Sequence, residues 1–213
     1  MRTDDFLPEN TLRTAFFTGH RILSPDERQH LPVLVSDCVK EAYDAGYRRF
    51  FCGCALGFDT LAALETVRFR RLHPDVVLSL AIPCLSQADR WPEKDRIVWR
   101  ELRSLADDQI VLSPLYYQGV MLTRNRYMAD RSSLCICWLT RWQGGTASAV
   151  RYALTRDRMK IINLAAVRDS SAGLMREESW NYTYISPSAG KNADIAPLRL
   201  SSRKLLIMKY MQI

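Results

Sequence analysis

Between residues 14 and 165, short apolar runs alternate with longer segments that have helical apolar spacing. The short runs predict strands at residues 14–18, 48–52, 76–82, 109–113, 132–139 and 160–165, and the segments between them predict five helices. Strands that alternate with helices favour an α/β protein with a mainly parallel sheet and helices on both faces. We therefore predict a Rossmann-like, doubly wound sheet of about six strands, in an order such as 3-2-1-4-5-6.

The first helix is marked at both ends. Ser24 is suited to cap it, Pro25 fits its first turn, and Glu27 completes a capping box with Ser24. Gly46 then occupies the position at which helices commonly end in a left-handed residue.

The alternating pattern stops after Ala165. We expect one Rossmann-like domain over residues 1–165 and a C-terminal extension over residues 166–213, which is rich at first in Ser, Asn, Pro and charged residues. The last part of this extension, RLSSRKLLIMKYMQI, is basic and apolar. It is either a helix that docks on the domain or on a second subunit, or a disordered tail.

Composition and charge narrow the class of protein only moderately. Hydrophobic residues make up 47% of the 213 residues, enough to bury a core. The net charge of +7 suits an anionic ligand or nucleic acid, and suits an ordinary soluble protein almost as well.

No run reaches the roughly 18–20 apolar residues of a membrane helix. The start, MRTDDFLPEN, has acids where a signal peptide is basic and apolar. We predict a cytoplasmic protein without membrane contact.

The cysteines include two C-x-C pairs, Cys52 with Cys54 and Cys135 with Cys137. Both pairs lie in strand-like runs, and four thiolates can bind zinc tetrahedrally. In the predicted order, however, their strands are three steps apart, about 14 Å at roughly 4.8 Å per step. Reduced, buried thiols explain these residues better, so we predict neither a metal nor a cofactor.

Unusual residues gather in the turns that follow the predicted strands. The turns read T-G-H-R at residues 18–21, C-G-C-A-L-G-F-D at 52–59, P-C-L-S-Q-A-D-R-W at 83–91 and W-Q-G-G-T at 142–146, and R-N-R at 124–126 lies in the helix after the fourth strand. In an open parallel sheet, ligands bind beyond the carboxyl ends of the strands, where the strand order reverses. These segments together therefore predict one binding crevice.

The W-Q-G-G-T turn has the features of an anion site. Gly144 and Gly145 allow the backbone to approach a ligand closely, and Thr146 offers a hydroxyl beside the free N–H groups of a helix start. His20 and Arg21 follow a central strand and are suited to bind a phosphate. Taken alone, Gly144, Gly145 and Thr146 fit a plain glycine turn with a threonine cap slightly better than a functional site. For His20 and Arg21 the alternative is a solvated turn, which we favour less than phosphate binding.

Two further residues have ordinary explanations beside functional ones. Asp59 lies in the first turn of its helix, where a carboxylate is favourable in any case. Trp91 is suited to stack on a base or ring, but a tryptophan at a helix start more often packs against its own protein.

Five motifs occur together in one order along the chain. They are T-G-H-R, G-x-A-L-G-x-D, A-x-P-x(3)-Q-x(3)-W, R-N-x-x-M-x-D and G-G-T-x-x-x-V-x-Y-A, between residues 18 and 153. In this combination the chain resembles the YpsA-like branch, DUF1273, of the SLOG superfamily, which also contains the DNA-processing protein DprA and the LOG phosphoribohydrolases. The resemblance covers roughly residues 14–165 and implies a Rossmann-like sheet with a pocket for nucleotides or ligands such as ADP-ribose.

The chain departs from the LOG pattern at its catalytic acid. LOG hydrolases resemble P-G-G-x-G-T-x-x-E, whereas this chain reads Q-G-G-T-A-S-A and has Ala149 where the glutamate is expected. Cleavage of a glycosidic bond needs a nearby carboxylate or an activated water. We therefore favour a binding or sensing role. The alternatives are a nucleotide N-glycosidase or phosphoribohydrolase that uses Asp59 or Asp130, and a DprA-like protein that binds single-stranded nucleic acid.

The predicted partner is a nucleotide-like small molecule, and the resemblance also suggests a homodimer. We assign no catalytic residue. The predicted ligand-binding residues are Thr18, Gly19, His20, Arg21, Gly53, Gly57, Asp59, Gln87, Trp91, Arg124, Asn125, Asp130, Gly144, Gly145 and Thr146.

Overall fold

The computed structural model describes residues 13–167 and two further strands at residues 182–185 and 195–198. The strands are β1 (Thr14–Gly19), β2 (Arg49–Cys52), β3 (Val77–Ile82), β4 (Asp108–Val111), β5 (Leu134–Trp138), β6 (Lys160–Asn163), β7 (Tyr182–Ile185) and β8 (Ile195–Leu198). The helices are α1 (Pro25–Asp44), α2 (Phe58–Arg70), α3 (Glu93–Leu105), α4 (Val120–Asp130) and α5 (Gly144–Leu154). The predicted strands and helices are thus all present.

All eight strands form one sheet in the order β4-β3-β2-β1-β5-β6-β7-β8. The first six strands pair in parallel, and β7 and β8 extend the sheet antiparallel beyond β6. The predicted fold class is confirmed. The predicted order 3-2-1-4-5-6 is wrong, because β4 lies at the edge beyond β3, and β5 takes the position beside β1.

The placement of the helices explains this order. Residues of α1, α2 and α3 share an apolar core with Phe17 and Phe50, while α4 and α5 share another with Phe16 and Phe51. Neighbouring residues of a strand point to opposite faces, so the two helix groups cover opposite faces of the sheet. Three right-handed crossovers on one face carry the chain from β1 out to β4. Helix α4 then returns it across the other face to β5.

The part of the predicted extension that the structure describes adds β7 and β8, which the residue pattern did not predict. Strand β7 pairs with β6 through Ile162 and Asn163, and β8 pairs with β7. The basic segment at residues 199–213 and its predicted docking lie outside the described residues.

Helix α1 begins and ends as its sequence predicts. The Ser24 hydroxyl accepts a hydrogen bond from the Glu27 N–H at 3.2 Å, and the Glu27 carboxylate accepts one from the Ser24 N–H at 2.7 Å. The helix continues through Pro32, and Gly46 has the left-handed φ of 93°.

The cysteine pairs lie closer together than expected. Because β1 alone separates β2 from β5, the two C-x-C pairs are two strand spacings apart, roughly 10 Å. All six thiols are buried and free. In the described part of the chain, no group of three or more His, Cys, Asp or Glu residues is arranged to hold a metal ion.

Within the same part, no helix is both long and apolar enough to cross a membrane.

Candidate functional site

The strand order reverses between β1 and β5, and the loops that follow these two strands meet there. The backbone N–H of Thr140 donates a hydrogen bond to Nε2 of His20 at 3.0 Å. His20 is therefore an acceptor at Nε2. Burial, followed by the nearby Arg141, lowers the pKa of His20. His20 thus joins the two loops as a neutral ring, whereas the sequence analysis predicted that it binds a phosphate.

The loop after β2 is packed against the loop after β1. The Phe58 N–H donates to the His20 carbonyl at 3.1 Å. Gly57 has a φ of 77°, and a Cβ there would overlap the carbonyl oxygens of His20 and Arg21. A Cβ at Gly19 would likewise overlap the Phe58 ring. Gly19 and Gly57 therefore allow the loops after β1 and β2 to pack closely against each other, whereas the sequence analysis predicted that they contact a ligand.

A buried arginine holds the β2–α2 loop from the opposite face of the sheet. Nη1 of Arg124 donates to the Gly53 carbonyl at 2.5 Å, and its Nε donates to Oδ1 of Asn125 at 2.8 Å. Side-chain nitrogen Nε2 of Gln87 donates to the carbonyls of Gly53 and Cys54 at 3.0 and 3.1 Å. A Cβ at Gly53 would overlap the Arg124 guanidinium. Arg124 and Gln87 therefore fix the loop.

Asp59 completes this internal frame. Its Oδ2 lies 3.9 Å from Nη1 of Arg124, and both side chains are only 6% exposed. Burial raises the pKa of Asp59 to about 6, although Arg124 and N–H donors from Ala55 and Gly19 oppose the rise. The carboxyl group thus lies under the crevice, and not on its surface.

We expect Asp59 to reduce the stability of the protein as the pH rises from about 4 to about 6. Its folded-state pKa of about 6 exceeds the ordinary value of 3.8, so the folded state binds more protons than the unfolded state in this range. The free energy of unfolding then falls with rising pH, by roughly 3 kcal/mol in all. Urea unfolding of the wild type and of Asp59→Asn at several pH values measures this contribution. An equally steep decline in the variant, which cannot titrate at this position, would contradict the assignment.

Two predicted residues, Asp130 and Trp91, lie away from the reversal point. Asp130, at the last turn of α4, accepts a hydrogen bond from the Tyr152 hydroxyl at 2.8 Å and lies 3.4 Å from Arg156. Helix α4 runs antiparallel to the strands, so Asp130 lies toward their amino ends. Trp91 packs edge-on against Trp99 at 6.4 Å. The structure therefore does not bring Asp130 to the crevice, and it gives Trp91 a packing contact.

Asn125 faces a small hollow between α4 and α5. The hollow has a volume of about 40 Å³ and is lined by Leu122, Asn125, Arg126, Ser148, Ala149 and Tyr152. Pockets that bind small molecules usually measure about 300–1,000 Å³, so this hollow is too small for a nucleotide. Ala149, the position at which the LOG pattern has its acid, lies in the same hollow.

The remaining predicted residues frame the start of α5. Gly144 and Gly145 are exposed, Gly144 has a φ of 79°, and a Cβ at either position would meet nothing within 4 Å. The side chain of the N-cap residue Gln143 makes no capping hydrogen bond within the described chain. Thr146 is 8% exposed, and Thr18 is 6% exposed and belongs to β1. The start of α5 thus has no side-chain cap from Gln143, and there is open space around its two glycines.

Arginines flank this helix start. Arg21 and Arg141 are both exposed, one in each loop at the reversal point. Arg21 is close enough to Asp59, and Arg141 to His20, to influence their pKa values. Arg141 and its exposed neighbour Trp142 were not among the predicted ligand-binding residues, although the W-Q-G-G-T turn includes Trp142. Their position two and three residues before Gly144 was the available signal.

Comparison with known proteins agrees with this architecture. The family model YpsA, described as the YspA SLOG family, matches residues 25–161. The chain belongs to this YpsA family. The match extends from α1 into β6 and includes the loops after β2, β3 and β5, whereas the T-G-H-R motif lies just before it. No curated protein matches the sequence.

Two solved structures are similar to this YpsA-family chain. DprA from Streptococcus pneumoniae has a TM-score of 0.51 and 17% identity, over 70% of this chain and 49% of that protein. DNA processing protein A from Helicobacter pylori, described for its single-stranded DNA binding mode, has a TM-score of 0.49 and 21% identity, over 70% and 63%. The chain thus matches about half to two thirds of the length of these proteins.

Proposed function

We propose that this YpsA-family chain binds a nucleotide or a nucleotide-derived ligand such as ADP-ribose, with a phosphate at the start of α5. The observation that carries the proposal is the uncapped start of α5 at the point where the strand order reverses. There, Gln143 does not cap the first N–H groups of the helix, which have no partner within it, and a Cβ at Gly144 or Gly145 would meet nothing within 4 Å. Such a helix start attracts anions through its N–H groups and its dipole.

The charges around the crevice support the same proposal. Arg21 and Arg141 are exposed on the two neighbouring loops, and guanidinium groups pair well with phosphate. Asp59, the acid under the crevice, is buried against Arg124 and is half protonated at about pH 6. Membership of the SLOG family supports nucleotide or nucleic-acid binding at this coarse level.

A sensing or binding role suits the geometry better than hydrolysis. Of the two acids considered as substitutes for the LOG glutamate, Asp59 is 4% exposed and Asp130 lies at the other end of α4. Neither is placed to protonate a leaving group in the crevice. We expect no free base after incubation with nucleoside monophosphates, measured by chromatography. Base release that Asp59→Asn abolishes would favour the hydrolase.

A thermal-shift screen against mononucleotides, dinucleotides and ADP-ribose tests the proposal. A ligand at 100 times its dissociation constant adds about 2.7 kcal/mol to the free energy of unfolding, a shift of roughly 5–10 °C for a chain of this size. Gly145→Val should abolish the shift, because its side chain fills the space above the helix start. Gly145 has no positive φ and no neighbour within 4 Å, so the unliganded variant should melt close to the wild type. An unaltered shift in Gly145→Val would refute this phosphate position.

Single-stranded nucleic acid is the alternative ligand, favoured by exposed Arg21, Arg141 and Arg151 around the crevice. Binding of this kind weakens steeply as salt rises, because phosphate contacts release counterions. Tight, salt-dependent binding of an oligonucleotide, together with no shift by any nucleotide, would favour this alternative.

A further inference from the structure

One tryptophan near the crevice differs from the others in the described range 13–167. Trp91 and Trp99 pack against each other at 6.4 Å, and Trp138 is 3% exposed and donates to Glu27 at 3.2 Å. Trp142, in contrast, is 49% exposed. An indole ring has a large apolar surface, so leaving half of it in water is unfavourable unless something else covers it.

The backbone that carries Trp142 is nevertheless fixed. Arg151, in the last turn of α5, reaches back along the helix, and its Nη2 donates to the Trp142 carbonyl at 2.6 Å. The Arg151 guanidinium carbon lies 5.8 Å from the centre of the indole ring. The arginine therefore anchors the residue and places a positive charge beside the ring while half of the side chain stays accessible.

The position of this ring relates it to the proposed phosphate site. Trp142 lies two residues before Gly144, in the loop at the reversal point, and its neighbour Arg141 is exposed. Proteins that bind nucleotides or single strands commonly combine cationic groups with an accessible aromatic ring, on which a base stacks. The same function was expected of Trp91, whose ring packs against Trp99.

We propose that Trp142 is the residue that stacks on the base of the bound nucleotide. The inference rests on the proposed function and makes it more specific, because the ligand must carry an aromatic base and not only a sugar and a phosphate. Phosphate contacts at α5 would then set the position of the ligand, and Trp142 would select for its base.

Calorimetric titration with AMP, GMP, CMP, UMP, ADP-ribose and ribose 5-phosphate tests the inference. Ribose 5-phosphate has the sugar and phosphate of the monophosphates without a base. We expect Trp142→Ala to weaken binding of the nucleotides roughly 5- to 150-fold, the range that base–aromatic stacking covers, and to leave binding of ribose 5-phosphate unchanged. Trp142→Phe should retain most of the affinity. Trp91→Ala is the matched control and should not alter the preference for a base.

The other outcomes overturn the inference in distinguishable ways. Equal losses for nucleotides and ribose 5-phosphate would show that Trp142 only supports the loop. Unchanged nucleotide binding in Trp142→Ala, or a wild type that binds ribose 5-phosphate as tightly as nucleotides, would refute base stacking but leave the proposed function intact. A wild type that binds none of these compounds would refute both. A Trp142→Ala variant with altered molecular mass in solution and unaltered base preference would assign the ring to a protein contact.

Discussion

Arg124→Met will destabilise the folded protein by about 3–5 kcal/mol at neutral pH, the usual cost of removing one partner of a buried ion pair. Asp59 would remain 4% exposed without its counter-charge, and the Gly53 carbonyl would lose its donor. Methionine approximates the length of the side chain, so the effect should come from charge and hydrogen bonding. Urea unfolding at pH 7 gives the change in free energy.

The pH and a second substitution separate these two contributions. Arg124 lowers the pKa of Asp59, so its removal raises that pKa further, and the destabilisation should shrink as the pH falls and Asp59 becomes neutral. The double variant Asp59→Asn/Arg124→Met should be more stable than Arg124→Met alone, because no charge is left unpaired. The opposite outcome is that the double variant loses as much free energy of unfolding as the two single variants together. In that case the unpaired carboxylate does not cause the destabilisation of Arg124→Met, and the lost hydrogen bond to the Gly53 carbonyl explains it.

Much of the fold could be predicted, because the apolar spacing and capping signals of each segment agree with the strand or helix that it forms. The apolar runs fixed the strands to within a few residues, and the capping box at Ser24 marked the start of α1. The strand order was harder to predict, because right-handed crossovers allow the chain to continue outward or to return. One signal was present. The residues of β4 begin Asp-Gln, which suits an exposed edge, whereas Leu-Cys-Ile-Cys-Trp in β5 suits a position beside the central strand.

The loops of the site could be predicted more reliably than the directions of their side chains. Parallel strands necessarily end at one edge, and hydrogen bonds join His20 to Thr140 and Arg124 to Gly53 there. A glycine in such a loop, however, permits close approach of either a ligand or another part of the protein, and the sequence does not distinguish the two. Other residues of the protein approach Gly53 and Gly57, whereas Gly144 has open space around it.

Helix length could have placed Asp130 correctly. Helix α4 has 11 residues, and Asp130 is the last of them. At 1.5 Å per residue, it lies about 9 Å along the axis from Arg124, toward the amino ends of the strands. The motif R-N-x-x-M-x-D therefore joins one residue under the crevice to another that pairs with Tyr152 and Arg156 at the far end of the helix.

The residues of the site thus divide into a buried frame and an exposed surface. Arg124, Asp59 and Gln87 hold the β2–α2 loop, and His20 joins that loop through Phe58 to the loop after β5. The frame positions the surface around the start of α5. Changes in the frame should therefore reduce stability first and ligand binding as a consequence, while changes in the surface should reduce binding alone.

Gly57→Ala should be the most damaging small substitution in the frame, with a loss of about 3 kcal/mol or more. Gly57 has φ 77° and ψ −121°. Residues with a Cβ rarely adopt this conformation, and an alanine held in it would destabilise the fold by about 1–3 kcal/mol. The added methyl group would also overlap backbone oxygens of His20 and Arg21, which cannot rotate away as a side chain would. The β1–α1 loop must then move, and ligand affinity should fall together with stability. Urea unfolding and ligand titration measure the two effects.

Gly46→Ala is the matched control for this substitution. Gly46 also has a positive φ, of 93°, but a Cβ there would meet nothing within 4 Å. Gly46→Ala should therefore lower the free energy of unfolding by only the cost of the backbone conformation, about 1 kcal/mol, and should leave ligand binding unchanged. A loss in Gly57→Ala that exceeds the loss in Gly46→Ala by more than about 2 kcal/mol would be due to the contact between the loops that follow β1 and β2. Equal losses in Gly57→Ala and Gly46→Ala would mean that backbone conformation alone matters at Gly57, and that this contact does not hold the crevice together.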